Sequence, residues 1–366
     1  MDGIDRRGVL AGGGALAAAA LAARAGAADA KPLRYAIVGL GYYAVNVILP
    51  QFANCRSSRV TGLVSGDPAK ARRIAAQYGV PERSIYNYQN YDRIADNPDI
   101  DAVYVILPNS MHAEYTIRAA KAGKHVLCEK PMSNTAAEAE AMIAACKRAG
   151  KKLMIGYRIH FEPNNLNAIR LIREGAIGKL RFIDAEHGFV QGDPSKWRLK
   201  KALSGGGSLA DMGIYSLQAA RYLSGEEPNA VLARTSTDRT DPRFHEVEDL
   251  IQWTLAFPSG AVASCMSSYS SAHNHVRATG SSGWLDLDPA TSYEGITLRR
   301  KTGDRTETVP APAGPGKTMF AAQLDHLADC VASGREPIVS GEEGLRDMRI
   351  IEAIYRSAQT GRTVDL

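Results

Sequence analysis

A chain of 366 residues with 45% apolar and 23% charged residues lies in the ordinary globular range, which excludes a disordered tail or a fibrous repeat. It is long for one hydrophobic core, so two domains are expected. Its 44 basic and 39 acidic residues give a net charge of +5 with no block of five like charges and no basic stripe carrying aromatics, which argues against nucleic-acid binding.

The first thirty residues stand apart. Arg6-Arg7 precedes an apolar, Ala/Gly-rich stretch over 9–23, followed by two A-x-A sites, Ala25-Gly26-Ala27 and Ala28-Asp29-Ala30. This reads as a twin-arginine export signal over 1–30 and makes a periplasmic protein the expectation. The stretch is shorter and less apolar than the roughly twenty residues a membrane anchor requires, so none is expected. The five cysteines (Cys55, Cys128, Cys146, Cys265 and Cys330) are odd in number and widely spaced, without a C-x-x-C pair. They read as buried thiols, not a disulfide framework.

From 31 to 156, short apolar runs at 33–38, 59–64, 101–107, 124–128 and 152–155 alternate with helical patterns at 68–78, 112–122 and 136–149. Strands alternating with helices predict βαβ units around a parallel sheet, an α/β Rossmann dinucleotide-binding domain. Gly79, Gly123 and Gly150 each follow a helical run, where a C-cap residue belongs. From 157 to 366 the rhythm changes. A helix at 163–174, a strand near 180–190 and a helix at about 208–223 lead into strand-like runs at 230–237, 249–257, 261–268, 275–279, 284–286 and 296–300. Such spacing predicts an α+β domain with a mostly antiparallel open sheet, closed by helices at 318–332 and 342–360.

Gly39-Leu40-Gly41-Tyr42-Tyr43-Ala44 is a G-x-G-x-x-A that follows a strand and opens a helix. Gly39 permits the tight turn, Gly41 admits a pyrophosphate, and the helix N-terminus faces the phosphate with unpaired N–H groups. The second strand ends at Val64-Ser65-Gly66, with no carboxylate at position 65 to accept from a ribose hydroxyl, and Lys70 follows. A hydroxyl and an ammonium attract a 2′-phosphate, which favours NADP; Asp67 on the ribose of NAD is the competing reading. Lys130 follows a strand at the carboxyl edge of the sheet. Asp211 and Tyr215 stand four apart in a helix after Gly205-Gly206-Gly207, so they project from one face. Cation, carboxylate and phenol are the set needed to move a hydroxyl proton while hydride leaves carbon.

Gly39-Leu40-Gly41, Leu107-Pro108-Asn109 with His112, Glu129-Lys130-Pro131 and Asp211-Met212-Gly213-Ile214-Tyr215 together resemble the glucose-fructose oxidoreductase, inositol dehydrogenase and rhizopine-catabolism family (Gfo/Idh/MocA). The resemblance runs from about Lys31 to Val364. It leans to the periplasmic glucose-fructose branch through Val64-Ser65-Gly66-Asp67, Trp197-Arg198-Leu199 and Tyr215, which stands where many members carry His. It implies tightly bound NADP(H), which one sugar reduces and a second reoxidises by ping-pong kinetics, and a homo-oligomer, dimer or tetramer, acting on monosaccharides. Lys130, Asp211 and Tyr215 are the implied catalytic group. The implied cofactor contacts are Gly39, Leu40, Gly41, Tyr42, Tyr43, Ser65, Gly66, Lys70, Tyr88, Leu107, Asn109, His112, Glu129, Lys130, Arg158, Trp197, Arg198 and, from a loop of the second domain, Tyr293.

One departure stands out. Only Lys31-Pro32 separates the cleavage site from the first strand, where the glucose-fructose branch carries a proline-rich arm. The shortened form fits an aldose-aldose oxidoreductase, unless residues 1–30 are retained as an arm. An NAD-dependent glycoside hydrolase, a sugar dehydrogenase with dissociable cofactor and a non-enzymic sensor of the same fold are the rivals. His273 and His275 share a strand face, which is too little to expect a metal.

Overall fold

The computed structural model describes residues 31–312 and 318–366; the export signal expected over 1–30 lies outside the described residues. Six parallel strands, β1 (Leu33–Val38), β2 (Ser58–Val64), β3 (Ile85–Tyr86), β4 (Ala102–Val105), β5 (His125–Cys128) and β6 (Leu153–Ile155), form one sheet in the order β3-β2-β1-β4-β5-β6. The two residues of β3 are too short a run for periodicity to reveal. β1, β4 and β5 are almost wholly buried, as strands covered by helices on both faces must be. The covering helices carry their own start signals. Asp67 accepts from the Lys70 amide ahead of Pro68–Tyr78, and Thr135 with Glu138 forms a reciprocal capping box ahead of Ala136–Arg148. Strand order reverses between β1 and β4, and doubly wound sheets bind ligands in the crevice at that point.

The second sheet has nine strands: β7 (Leu180–Gly188), β8 (Ala230–Ser236), β9 (Leu250–Ala256), β10 (Val262–Ser268), β11 (His273–Gly280), β12 (Gly283–Leu287), β13 (Leu298–Thr302), β14 (Arg305–Val309) and β15 (Val364–Asp365). Their order is β14-β13-β12-β11-β7-β10-β9-β8-β15. Every neighbouring pair is antiparallel except β7 with β10, so the sheet is mixed but mostly antiparallel. The parallel pair arises because the chain leaves β7 through the helix Ile214–Ser224 and the β8–β9 hairpin before β10 returns alongside.

The helix Met319–Ser333 doubles back onto the first domain. Tyr35 donates its hydroxyl proton to the Leu324 carbonyl at 2.9 Å, and Asp325 accepts from the amides of Arg56 and Ser57 at 2.8 and 2.9 Å. One continuous apolar core therefore runs through both sheets. A Leu or Ile side chain fully buried in it contributes roughly 1.5–3 kcal/mol, so the cleft between the sheets is walled by packed structure on both sides.

Two helices depart from the expected α form. The segments after Gly41 and after Ser208 begin as π-helical turns, Tyr43–Ile48 and Leu209–Gly213, before continuing as α-helix. Wide turns of this kind concentrate at functional sites, and both flank the cleft. Cys128, Cys146, Cys265 and Cys330 are buried, and no disulfide joins the cysteines among the described residues. No helix of the described residues is long and apolar enough to cross a membrane.

Candidate active site

The chain turns sharply out of β1 at Gly39, whose φ is +94° and where a Cβ would sit 2.3 Å from the Ile106 carbonyl oxygen. At Gly41 a Cβ would meet nothing within 4 Å, so the backbone there faces open space. That space is a cleft of about 950 Å³ between the domains. Gly39, Leu40, Gly41, Tyr42, Tyr43, Ser65, Lys70, Tyr88, Leu107, Asn109, Glu129, Lys130, Arg158, Trp197, Arg198, Asp211, Tyr215 and Tyr293 all line it.

Two residues of the expected set do not. His112 is completely buried, and its ring nitrogens lie 2.9 Å from the carbonyl oxygens of Pro131 and Leu107, so it braces two cleft loops from behind. Gly66 is exposed on the turn after β2, and a Cβ there would touch the Tyr88 ring at 3.1 Å. The lining also includes Asp67, Phe189, Gln191, Lys196, Met212, Asn274, Thr291 and Ser292. Asn274 sits between His273 and His275. Strand alternation turns it to the cleft while its neighbours face away to Glu186 and Asp286. Among the described residues no group of three His, Cys, Asp or Glu side chains is arranged to hold a metal ion.

At one end of the cleft, Ser65 is buried and its Oγ accepts from the Asp67 amide at 3.1 Å. Asp67 Oδ1 is taken by the Lys70 amide at 3.0 Å as the helix cap, and no carboxylate pairs with the Lys70 ammonium among the described residues. The open backbone at Gly41, a hydroxyl and an unpaired ammonium fit a phosphorylated dinucleotide.

At the other end Glu248 shapes the loop that starts the helix carrying Asp211 and Tyr215. Its carboxylate accepts from the amides of Gly207 and Leu209 and from the Tyr355 hydroxyl at 2.9–3.0 Å. Asp211 is thereby brought against Lys130. The ammonium donates to the Asp211 carbonyl oxygen at 2.5 Å and to Oδ1 at 3.3 Å, while Oδ2 accepts from Arg198 Nε at 2.9 Å and from the Tyr269 hydroxyl at 3.1 Å. Burial opposes charge on this carboxyl, but Arg198 and Lys130 outweigh it and hold it down to about 2. Asp211 is therefore an anion at neutral pH that tethers two cations. Lys130 Nζ lies over the Tyr215 ring, 4.7 Å from its centroid. Tyr104 donates to Glu129 and accepts from Gln323, which ties the start of the Lys130 loop to the helix Met319–Ser333; burial pushes the Glu129 carboxyl up.

Residues 33–157 match the profile described as oxidoreductase family, NAD-binding Rossmann fold, of the GFO/IDH/MocA group, and residues 166–286 match the GFO/IDH/MocA C-terminal domain. The chain belongs to the Gfo/Idh/MocA oxidoreductase family. A crystal structure of aldose-aldose oxidoreductase from Caulobacter crescentus, complexed with glycerol, superposes with a TM-score of 0.91 at 58% identity, over 92% of this chain and all of that one. D-xylose 1-dehydrogenase [NADP(+)] of Haloarcula marismortui is 32% identical over 92% of this chain and 93% of its own. D-xylose 1-dehydrogenase (NADP(+)) 2 of Haloferax volcanii is 30% identical over 91% of this chain and the whole of its own. Like other Gfo/Idh/MocA proteins, this one is an oxidoreductase that places an NAD(P)-binding Rossmann domain beside a mostly antiparallel sheet.

Proposed function

We propose that the protein is a sugar oxidoreductase of the aldose-aldose type. It holds NADP(H) tightly, oxidises a cyclic aldose at C1 to the lactone, and reduces a second aldose to the alditol. The observation that carries this reading is the Lys130–Asp211–Tyr215 cluster in a dinucleotide cleft, in a chain 58% identical to an aldose-aldose oxidoreductase. The nicotinamide supplies the hydride acceptor in one half-reaction and the hydride donor in the other. Tyr215 Oη takes the C1 hydroxyl proton of the first sugar and returns a proton to the carbonyl oxygen of the second. Asp211 fixes Lys130 over the phenol ring, and Trp197 with Arg198 covers that end of the cleft.

Two experiments test it. Bound nucleotide is quantified after denaturing the purified protein, which is then mixed with pairs of aldoses and no added nucleotide. About one NADP(H) per chain and alditol formation are expected. A protein isolated empty that needs added NADP(+) would be a dehydrogenase with dissociable cofactor; the Haloarcula marismortui and Haloferax volcanii relatives are named as NADP(+) dehydrogenases. Ser65→Asp is expected to exchange NADP for NAD, because the new carboxylate repels a 2′-phosphate and accepts from a 2′-hydroxyl. Stoichiometric NAD recovered from the unmodified protein contradicts the NADP assignment.

A further inference from the structure

Arg158, three residues past the end of β6, is 4% exposed, and no carboxylate pairs with it among the described residues. Its hydrogen bonds go to neutral acceptors: the Thr291 carbonyl at 2.6 Å, Met319 Sδ at 3.2 Å and the Ser292 carbonyl at 3.5 Å. A guanidinium taken out of water without a counter-ion is costly. The loop that receives it is itself held: Asn274 Oδ1 accepts from the amides of Ala290 and Thr291 and from the Thr291 hydroxyl at 2.8–3.0 Å. Arg158 Cζ lies 5.2 Å from the ring centroid of Tyr215, 4.8 Å from that of Tyr293 and 5.7 Å from that of Phe320. Two cations thus face the Tyr215 ring, and of these Lys130 already has an anion in Asp211.

The geometry points to Arg158 as a positioning residue whose counter-ion is made during turnover, the phenolate of Tyr215. This rests on Tyr215 being the proton carrier. In the oxidative half-reaction the sugar O–H bond breaks and the Tyr215 O–H bond forms as the C1 hydrogen departs with its electron pair to the nicotinamide. In the reductive half-reaction that pair returns to the second sugar's carbonyl carbon, the Tyr215 O–H bond breaks, and the proton passes to the carbonyl oxygen. A fixed cation at the ring stabilises the phenolate relative to the phenol in whichever half-reaction it stands.

The other groups near the ring are already satisfied or neutral. His187 of β7 has its ring centre 5.7 Å away, and burial with the nearby cations holds it down to about 3. Tyr43, after β1, and Tyr293 are pushed up by burial. Glu129, ahead of Lys130, is bonded to Tyr104, and Asp211 on the tyrosine's own helix is shared by Lys130 and Arg198. Arg158 is the charge at Tyr215 not already matched by an anion.

The test compares Arg158→Gln, Arg158→Lys and Tyr215→Phe in their nucleotide-loaded forms, following nicotinamide absorbance in single turnovers of each half across pH. At this separation and an effective dielectric of about 20, one charge is worth about one to two pH units. In Arg158→Gln the rising limb of the oxidative half and the falling limb of the reductive half are expected to move upward together by that amount. Oxidation below the limb then slows about tenfold to a hundredfold. Arg158→Lys keeps both limbs near their original pH. If the Gln variant does not fold, Arg158→Met, whose apolar stem fills the space among the rings, is read in the same way. Unmoved limbs in a folded, loaded variant, limbs moving in opposite directions, or loss of nucleotide as the principal effect would each overturn the assignment. Normal rates in Tyr215→Phe would overturn the proton-carrier reading instead, so the two failures are distinguishable.

Discussion

Tyr215→Phe is expected to slow both half-reactions by about a hundredfold or more while the protein stays folded and loaded with nucleotide. Positioned acid–base groups contribute roughly 10²–10⁴-fold, and the substitution removes only the phenolic oxygen. The ring stays under Lys130 and Arg158 and beside His187, so packing and the cation–ring contacts survive. One oxygen is assigned to both directions of proton movement, so the two losses should match. That equality is the discriminating feature: a substitution that merely disturbed binding of one sugar would lower one half alone. Single-turnover nicotinamide absorbance with a donor aldose, and then with an acceptor aldose on the reduced form, measures each loss separately. A loss confined to one half, or normal rates in both, removes the phenol from the shared role.

The first domain was legible because its chemistry is local. The apolar run of β1 leads straight into Gly39-Leu40-Gly41, and Gly79, Gly123 and Gly150, read as helix ends, all take the positive φ of such a cap. Asp211 and Tyr215 both line the cleft, although their helix opens as a π turn: Ser208 offers no side-chain cap, and the start is set by Glu248 from forty residues on. No local pattern carries that information. The family resemblance implies His112 as a cofactor contact, but only the folded loops show its two nitrogens set 2.9 Å from carbonyl oxygens behind the cleft. Tyr269 gave no signal, since a tyrosine at the end of a strand is ordinary core until Asp211 is seen within reach of its hydroxyl. Asn274 was overshadowed by the histidines on either side, whose shared face is the opposite one. What sequence withheld were contacts between elements far apart in the chain, and these hold the cleft's polar side chains in place.

Asp211→Asn tests the most connected of those contacts. The amide keeps the shape of the carboxylate but not its charge, and its NH₂ group turns a donor toward one of the donors that Asp211 now receives from Lys130, Arg198 and the Tyr269 hydroxyl. Lys130 then loses the anion that fixes it over Tyr215, so turnover is expected to fall by about a hundredfold or more in both halves. Stability should fall as well, with a definite pH signature. The folded carboxyl is held at about 2, below its ordinary value, so its stabilisation is complete above the unfolded value near 4 and is lost as pH falls toward 2. The depression corresponds to about 2 kcal/mol, an upper figure because Arg198 is partly exposed. Denaturant unfolding at pH 7 should therefore place the variant below the unmodified protein by an amount of that order, with the gap narrowing from pH 4 to pH 2 as the unfolded chain's carboxyl takes up a proton that the native carboxylate still refuses. A gap that stays constant down to pH 2, or a variant with undiminished turnover, would show that Asp211 neither anchors the two cations nor positions Lys130.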